Sequence, residues 1–437
     1  MVNIDFENLG KRLNNINMTR NFGHINRVIG LVIESIGPEA SIGELCLIET
    51  EEGNLKAEVV GFDDNKVLMM PIGEMDGIKP GAKVTATNER LKVHVGKNLL
   101  GKVLDGTGQV ISQDNSNKAG LKEVNVNNRP PDPMKRSRIK EPLSLGIKCI
   151  DGLLTCGKGQ RLGIFSGSGV GKSTLLGMAA RNTNADINVI GLIGERGREV
   201  KDFLEKDLGE EGLKRSIVIA ATSDQPALVR VKAANIATAV AEYFRNQGED
   251  VLLMMDSVTR VAMALREVGL AIGEPPATRG YPPSVFAKLP KLLERTGTND
   301  KGSITALYTV LVEGDDFNEP VSDTVRGILD GHISLSRELA EASHYPAVDV
   351  LSSVSRIMKD IVDEEHVKAA DKFKKLLATY NQSKDLINIG AYEHGSNAEV
   401  DRAIDKIDSI NNFLTQNINE KTNFEQTVEH LKNIAAE

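Results

Sequence analysis

The stretch Arg161-Leu-Gly-Ile-Phe-Ser-Gly-Ser-Gly-Val-Gly-Lys-Ser-Thr174 decides the fold of this chain. Its apolar start predicts a buried strand, and its glycines predict a tight turn whose backbone can approach a ligand because no Cβ intervenes. Lys172 and Ser173 follow in the first turn of a helix, where backbone N–H groups and the helix dipole favour an anion. The pattern predicts a phosphate-binding loop in which Lys172 reaches the β- and γ-phosphates of a nucleotide and Ser173 ligates Mg²⁺.

The loop departs from the usual pattern at one position. Ser166 takes the place of the usual first glycine, and a small side chain is tolerated there. The residues assigned to nucleotide binding are Gly167, Ser168, Gly169, Val170, Gly171, Lys172, Ser173 and Thr174.

Composition limits the class of protein around this loop. The chain has 437 residues, of which 40% are hydrophobic and 26% charged, so it can bury a sizeable core in two or three domains. Its net charge of −8 argues against nucleic acid as the main partner. Cys46, Cys149 and Cys156 lack metal-ligand spacing and indicate free buried thiols in a reducing compartment. No apolar run approaches membrane-spanning length and no signal peptide is evident, so we expect a cytoplasmic protein that meets the membrane through partners.

Two segments precede the phosphate-binding region. In residues 1–20, apolar residues near helical spacing predict a short partner-docking helix, or else a frayed terminus, because so short a helix is marginal in water. Residues 21–96 predict a small closed β-barrel, since six short β-rich runs alternate with turn residues. Those runs are 28–36, 44–50, 55–61, 66–70, 82–87 and 91–95. Phe62 is the only aromatic residue between His24 and Gly96, and a nucleic-acid surface needs aromatic platforms, so we expect a structural or ring-forming barrel.

The remainder of the chain predicts an α/β domain over 97–360 and a small helical domain over 361–437. The first part, 97–142, is rich in proline and turn residues and indicates a linker. Beyond it, continuous apolar strands alternate with helical stretches, which is typical of a parallel sheet buried on both faces. The strand runs are 188–193, 216–221, 251–255 and 304–311, and the helical stretches include 174–182 and 227–247. In the last part of the chain, three apolar stripes at helical spacing indicate packed helices.

Two carboxylates stand at predicted strand ends and are candidates for chemistry. Asp256 ends the buried run that starts at Val251, a place where P-loop proteins hold Mg²⁺ through its water shell; capping alone also puts aspartate there. Glu195 comes first after the strand that ends at Ile193, where ligands bind in open α/β sheets. A carboxylate there can polarise a water for attack on a γ-phosphate. The alternative for Glu195 is a salt bridge to a neighbouring arginine, Arg196 or Arg198.

These segments together carry a family resemblance that extends over nearly the whole chain from about residue 25. The chain resembles the flagellar and type III secretion export ATPases, which are relatives of the catalytic subunit of F-type rotary ATP synthases. The motifs that carry it are Gly167-Ser-Gly-Val-Gly-Lys-Ser-Thr174, Gly194-Glu-Arg-Gly-Arg-Glu199, Leu252-Leu-Met-Met-Asp-Ser-Val-Thr-Arg260, Gly273-Glu-Pro-Pro-Ala-Thr-Arg-Gly-Tyr-Pro-Pro-Ser-Val-Phe286, Leu289-Pro-Lys-Leu-Leu-Glu-Arg295 and His344-Tyr-Pro-Ala-Val-Asp349. The runs Thr222–Arg230 and Arg129–Pro133 look more flagellar than virulence-type. Ser166, where the family usually has alanine, leaves the activity assignment standing.

The resemblance implies a role for each matching residue. Lys172 and Ser173 match the phosphate-binding lysine and the Mg²⁺-ligating hydroxyl. Glu195 matches the carboxylate that activates the attacking water, and Asp256 the acid that holds Mg²⁺ through water. The other matches are arginines near the γ-phosphate at Arg196 and Arg260, the aromatic residue on the adenine ring at Tyr345, and an arginine finger acting across a subunit interface at Arg356 in Ser353-Val-Ser-Arg356.

The resemblance also implies an architecture and a function. The family fold is a hexameric ring of barrel, RecA-like and helical domains, and the segment 273–286 resembles the loop near its central pore. We therefore expect an ATP- and Mg²⁺-dependent homohexamer that energises flagellar protein export. Its partners would be a regulatory protein at residues 1–20, a central stalk protein, export substrates and chaperones, and a membrane export gate reached through partners.

Three other functions remain alternatives at this point. A virulence-type secretion ATPase has the same chemistry. A nucleotide-binding structural subunit of a rotary synthase lacks the catalytic glutamate, so Glu195 argues against it. A hexameric RNA translocase shares the RecA-like core, but the aromatic-poor barrel and the acidic net charge count against that class.

Overall fold

The structure is a computed structural model that describes residues 21–111, 120–312 and 319–436. The described residues form two compact units. One unit comprises residues 21–91 together with 268–274, and the other comprises the rest of the described chain. The predicted docking helix, residues 1–20, lies outside the described residues.

The first unit is a β-barrel. Its strands are β1 (Phe22–Ile29), β2 (Val32–Ile36), β3 (Glu44–Thr50), β4 (Gly53–Asp63), β5 (Lys66–Pro71) and β6 (Lys83–Arg90). Within the described residues these strands close in the order β1-β2-β5-β4-β3-β6, and β6 pairs back to β1. Because successive side chains of a strand point to opposite faces, inward residues such as Ile33, Ile48 and Met69 fill the interior and are fully buried. The predicted barrel is confirmed.

The prediction is wrong for two of the six barrel strands, the runs 28–36 and 91–95. The run 28–36 contains a hairpin turn, because Gly30 adopts a φ of +57° between β1 and β2. The run 91–95 is not a barrel strand: residues Lys92–Val95 form β7, which pairs with Lys122–Asn125. Apolar spacing indicates a strand in both runs, but it does not indicate where a chain reverses or which strand it pairs with.

The second unit is built on a mostly parallel sheet. Its further strands are β8 (Val103–Asp105), β9 (Lys122–Asn125), β10 (Pro142–Leu143), β11 (Cys156–Gly157), β12 (Arg161–Ser166), β13 (Ile187–Ile193), β14 (Ser216–Ala221), β15 (Asp250–Asp256), β16 (Gly297–Thr298), β17 (Ser303–Leu311), β18 (Gly331–Leu335) and β19 (Val348–Ser355). In the described residues, the main sheet has the order β19-β18-β12-β17-β15-β13-β14-β8. Its neighbours pair in parallel except β18 with β19, and β16 adds an antiparallel pair to β17. The predicted parallel α/β core is confirmed.

The region 97–142 is more than a linker. Its residues 103–105 form the edge strand β8, which pairs in parallel with β14. A strand of three residues is too short to give a periodic signal, so the sequence indicated only turns here. The linker region is thereby anchored to the sheet that carries the phosphate-binding loop.

Helices cover the sheet and form the C-terminal part of the chain. They are α1 (Lys148–Leu153), α2 (Lys172–Asn182), α3 (Gly197–Asp202), α4 (Gly209–Lys214), α5 (Ala227–Arg245), α6 (Val258–Ala271), α7 (Pro283–Leu293), α8 (Pro320–Ile328), α9 (Arg337–Glu341), α10 (Met358–Ile361), α11 (Glu364–Asn388), α12 (Ala398–Leu414) and α13 (Phe424–Ala436), with a π-helical segment Phe203–Leu208 between α3 and α4. The predicted C-terminal helices are α11, α12 and α13, which pack on one another and on α1. Phe373 and Phe413 lie 5.3 Å apart between ring centroids, and Phe413 packs where Gly152 has no Cβ.

The cysteines are free thiols, as predicted. All three are buried. Burial raises the pKa of the Cys46 and Cys149 thiols to about 12, and it also raises that of Cys156. Since the thiolate is the reactive form, these side chains serve packing.

A buried charge network joins the linker region to α5 and to the end of α7. Arg295 donates from Nε and Nη2 to the two carboxylate oxygens of Glu242, each at 2.8 Å, and from Nη1 to Asn235. Asn128 of the linker region donates to the same carboxylate at 2.7 Å. The Arg295 side chain is 3% exposed and the Glu242 side chain 5% exposed. Each charge is therefore stabilised by its partner and not by water.

Replacing one charge of this pair tests how much the junction depends on it. We expect Glu242→Gln to lower the free energy of unfolding by about 3–5 kcal/mol, because it leaves the Arg295 guanidinium buried without a counter-charge. Glu364→Gln is the matched control, since the exposed Glu364–Lys368 pair has the same 2.8 Å separation and should change stability by less than about 1 kcal/mol. Urea denaturation measures both, and equal effects would contradict the burial argument.

Candidate functional site

The predicted phosphate-binding loop joins β12 to α2. Strand β12 ends at Ser166 and α2 begins at Lys172, so the loop lies at the carboxyl end of a central parallel strand. Gly169 and Gly171 have φ values of +79° and +88°, a left-handed conformation that side chains with a Cβ rarely adopt. No atom lies within 4 Å of the place where a Cβ at Gly169 would stand. The loop is therefore an open cradle whose N–H groups can face an anion at the start of α2.

Lys172 lies between two carboxylates at this edge of the sheet. Its Nζ is 2.5 Å from Oδ1 of Asp256, at the end of β15, and 3.6 Å from Oε1 of Glu195, just after β13. The three side chains are only 4–14% exposed. Thr309 of β17 donates to the same Asp256 oxygen at 2.7 Å. Because β12, β17, β15 and β13 are consecutive parallel strands, their carboxyl ends bring these residues together.

The electrostatics of the cluster suit proton transfer at Glu195. Burial, and next the nearby charge of Asp256, raise the pKa of Glu195 to about 7, although the ammonium of Lys172 acts in the opposite direction. Burial disfavours the Lys172 charge, but the two carboxylates prevail and raise the pKa of Lys172. The Glu195 Oε1 atom is buried and has no hydrogen-bond partner. Such an oxygen can accept a proton from a water molecule beside the phosphates.

The oxygen donors of the cluster fit Mg²⁺. Ser173, half-buried in the first turn of α2, offers a hydroxyl, and Asp256 offers a carboxylate. Mg²⁺ prefers hard oxygen ligands and takes the rest of its shell from water and substrate phosphates. Among the described residues, no group of three or more His, Cys, Asp and Glu side chains could hold a metal ion by itself.

The two arginines predicted near the γ-phosphate differ in position. The Arg260 side chain packs against Gly194, where a Cβ would stand 2.9 Å from the Arg260 Cβ, and its buried Nε has no hydrogen-bond partner. Arg260 therefore lies next to Glu195. The Arg196 side chain is 81% exposed and pairs with Glu199 at 3.6 Å, so the structure does not bring it into the cluster.

The alternative interpretation of Glu195, a salt bridge to an adjacent arginine, is not what the structure shows. Arg196 pairs with Glu199, and Arg198 pairs with Asp202 at 3.5 Å. The Glu195 carboxylate instead faces Lys172. Because neither adjacent arginine pairs with Glu195, its carboxylate remains within the cluster formed with Lys172 and Asp256.

Arg356 lies at the other end of the sheet from the phosphate-binding loop of its own chain. Ser355, the last residue of β19, pairs with Gly331 at the start of β18, because β19 runs antiparallel. The Arg356 N–H donates to Asp330 O, and the Asp330 N–H donates to Arg161 O at the start of β12. Arg161 and Ser166 are five residues apart, or about 16–17 Å along a strand. The exposed Arg356 side chain therefore starts far from its own loop.

A cavity of about 680 Å³ lies beside the loop and contains the predicted adenine contact. The ring of Tyr345 lies 3.4 Å from where a Cβ at Gly171 would stand, and it is 44% exposed. Most of the cavity wall could not be predicted from the sequence, because the C-terminal part of the chain contributes residues about 250 positions away from the loop. The lining residues include Lys148, Met178, Asn412, Thr415, Gln416 and Ile418. Nothing in the local sequence around residues 412–418 indicates a ligand site.

No helix of residues 21–111, 120–312 and 319–436 combines sufficient length with sufficient apolar character to span a membrane.

Comparison with known proteins assigns the chain to a family. Its residues 25–88 match the beta-barrel domain and its residues 146–355 the nucleotide-binding domain of the ATP synthase alpha/beta family. Residues 362–433 match the T3SS EscN ATPase C-terminal domain.

Individual relatives agree with this assignment. The chain is 58% identical over 418 residues to the flagellum-specific ATP synthase of Bacillus subtilis, covering 95% of each chain. It is 49% identical over 428 residues to the type 3 secretion system ATPase of Xanthomonas euvesicatoria, covering 98% and 97%. The solved structure of assembled EscN in complex with its central stalk EscO, from enteropathogenic E. coli, matches with a TM-score of 0.88 at 48% identity, covering 94% of this chain and 100% of that one. The chain therefore belongs to the family of flagellum-specific ATP synthases and type III secretion ATPases.

Proposed function

We propose that this chain is an ATPase that hydrolyses ATP with Mg²⁺ as a homohexameric ring and energises flagellar type III protein export. One observation carries the chemistry: the Lys172 ammonium lies between Asp256 and a buried oxygen of Glu195 that accepts no hydrogen bond, beside an open phosphate cradle. Such an arrangement provides a phosphate clamp and a base at one place. The flagellar role is supported by the runs Thr222–Arg230 and Arg129–Pro133, which look more flagellar than virulence-type, and by the 58% identity to the flagellar relative of Bacillus subtilis.

The residues of the site divide the work of hydrolysis. When ATP binds, its phosphate oxygens replace Asp256 as partners of Lys172, and the N–H groups at the start of α2 hold the same phosphates. Ser173, and Asp256 through water, would hold Mg²⁺, which would neutralise part of the phosphate charge. The Glu195 carboxylate accepts the proton of the attacking water. The Tyr345 ring packs on the adenine and fixes the other end of the nucleotide.

Two arginines complete the proposed mechanism. Arg260, beside Glu195, faces the charge that develops on the transferred phosphoryl group. Arg356 acts on a neighbouring subunit, because its own loop is at the opposite end of the sheet. A guanidinium supplied in this way raises turnover by about 10³–10⁵-fold. Arg196 needs a rearrangement of its exposed side chain to take part.

The assembly and its partners follow from the family and belong to the same proposal. The related EscN structure contains a central stalk protein, and we infer a stalk partner for the C-terminal helical domain here. Residues 1–20 dock a regulatory protein, and export substrates and chaperones also meet the helical domain. The protein is cytoplasmic and reaches the inner face of the membrane and its export gate through partners. The domain division at residues 20, 96 and 360 stays a prediction.

The rates of ATP hydrolysis by the native chain and by a variant without the Glu195 carboxylate test the proposed function. We expect Mg²⁺-dependent ATPase activity that rises steeply with protein concentration, because each site needs a neighbour. Glu195→Gln should lose activity by about 10²–10⁴-fold yet bind ATP normally, since the amide keeps the size of the side chain but cannot accept the proton. Nucleotide binding without turnover in the native chain would instead favour a structural subunit of a rotary synthase. Hydrolysis stimulated by RNA would favour a translocase.

The acidity of Glu195 predicts a pH profile. Its raised pKa of about 7 means that the carboxyl is increasingly protonated, and inactive as a base, as the pH falls below that value. We expect kcat/KM to rise with pH through about 7 and then level, since this ratio reports the free enzyme. Glu199→Gln should move the midpoint to lower pH, because Glu199 contributes to raising the pKa of Glu195. A profile that is flat between about pH 6 and pH 8 would contradict Glu195 as the base.

A mixing experiment tests whether Arg356 acts on a neighbour. Arg356→Ala alone should bind ATP but lose most turnover. Mixed rings of Arg356→Ala and Glu195→Gln chains should regain activity, because an intact base in one subunit then meets an intact arginine from the next. For a random equal mixture, about a quarter of the interfaces are productive. Absence of recovery in rings shown to be mixed would mean that both residues serve the same chain.

A further inference from the structure

The segment between α12 and α13 lines the cavity beside the phosphate-binding loop. We call residues 415–420 the strap. The Arg181 guanidinium, at the end of α2, donates to the Ile418 carbonyl at 2.7 Å, and the Lys148 ammonium pairs with Glu420 at 3.1 Å. The strap thus joins the C-terminal helices to the helix that follows the phosphate-binding loop.

Gln416 is the buried anchor of the strap. It is 6% exposed. Its Oε1 accepts from the Lys148 backbone N–H at 2.8 Å, and its Nε2 donates to the carbonyls of Gly146 at 2.9 Å and Glu420 at 3.0 Å. This set fixes the orientation of the amide, because the flipped group would face one donor with its NH₂ and two acceptors with its oxygen.

The surface to which Gln416 is anchored is itself fixed. The buried Asp151 carboxylate accepts from the Ser144 hydroxyl at 2.6 Å and from the backbone N–H groups of Leu145 and Gly146 at 2.9 and 3.0 Å. Gly146 has a φ of +65°, and a Cβ there would stand 2.4 Å from the Asn182 Cβ. The Gly146 carbonyl is therefore held in one place against the end of α2.

Gln416 also supports the aromatic residue of the cavity. Its backbone N–H donates to the Tyr345 carbonyl at 2.9 Å. The Tyr345 ring lies beside Gly171 of the phosphate-binding loop. The three side-chain bonds fix where this N–H stands, and so they fix the backbone that carries the ring.

We propose that Gln416 is a positioning residue for the nucleobase: its side chain fastens the strap to the loop before α1 and thereby holds Tyr345 at the base-binding end of the cavity. The proposal rests on the proposed function in taking ATP as the ligand. The proposal separates two parts of the site: Gln416 affects binding of the nucleobase, and the phosphate-binding loop affects binding of the phosphates.

Binding measurements with two ligands test this separation. We expect Gln416→Met to raise the Kd for ATP about tenfold, since three hydrogen bonds of a buried amide are lost. The Kd for inorganic tripolyphosphate, which has no base, should change by less than about twofold, and so should kcat at saturating ATP. Unchanged tripolyphosphate binding also shows that the variant is folded. The control Gln382→Met makes the same change at an exposed position of α11 and should leave all three values alone.

A double mutant tests the route through Tyr345. In the Tyr345→Ala background, Gln416→Met should raise the Kd for ATP by less than about twofold, because the ring that it positions is already gone. Gln416→Glu, a second variant of equal size, should weaken ATP binding at least as much as Gln416→Met, because a carboxylate oxygen would face two carbonyls.

Three results would overturn the proposal. They are an unchanged Kd for ATP in Gln416→Met, an equal loss of tripolyphosphate binding, and a full effect of Gln416→Met in the Tyr345→Ala background. Calorimetric binding keeps this test separate from the proposed function. A native chain that binds ATP without hydrolysing it overturns the function and still reports on Gln416.

Discussion

The Lys172 ammonium, held between Asp256 and Glu195 in a region nearly closed to water, is the interaction on which the site depends. Two buried carboxylates without that cation would repel each other, and a buried ammonium without them would be costly. The order of the parallel strands sets the distances, because β13 and β15 are neighbours and β17 separates β15 from β12. A change in strand register would therefore separate Glu195, the proposed base, from the predicted phosphate-binding loop.

The central motifs could be predicted from the sequence because each is continuous along the chain. Strand β12, the glycine turn and α2 lie within 22 residues, Arg161 to Asn182, and their apolar and glycine pattern is local. Glu195 and Asp256 follow apolar runs whose ends mark the sheet edge. The barrel strands show the limit of this reasoning. The turn at Gly30 divides a continuous apolar run, and β7 leaves the barrel because it pairs with a strand that the sequence did not reveal.

Residues that work through distant contacts could not be predicted in this way. Gln416 is an ordinary glutamine between two helices, and its importance comes from backbone groups of residues 146, 148 and 345. Strand β19 was likewise not predicted, and neither was its direction, since a local sequence does not state whether a strand runs parallel or antiparallel to its neighbour. Yet that direction puts Arg356 at the far end of the sheet. The family resemblance identified Arg356 as a candidate arginine finger. Only the strand topology shows that Arg356 lies far from the phosphate-binding loop of its own chain.

The position of Arg356 has a consequence for symmetry. If the arginine serves a neighbour, each chain has a donating end and a receiving end, and two copies related by a two-fold axis would use one patch twice instead of joining unlike ends. When the donating end of each copy contacts the receiving end of the next, all copies point the same way along the assembly. An open row of such copies always leaves one loop without an arginine and one arginine without a loop. Closure into a cycle is the one arrangement of a finite number of copies in which no site is incomplete.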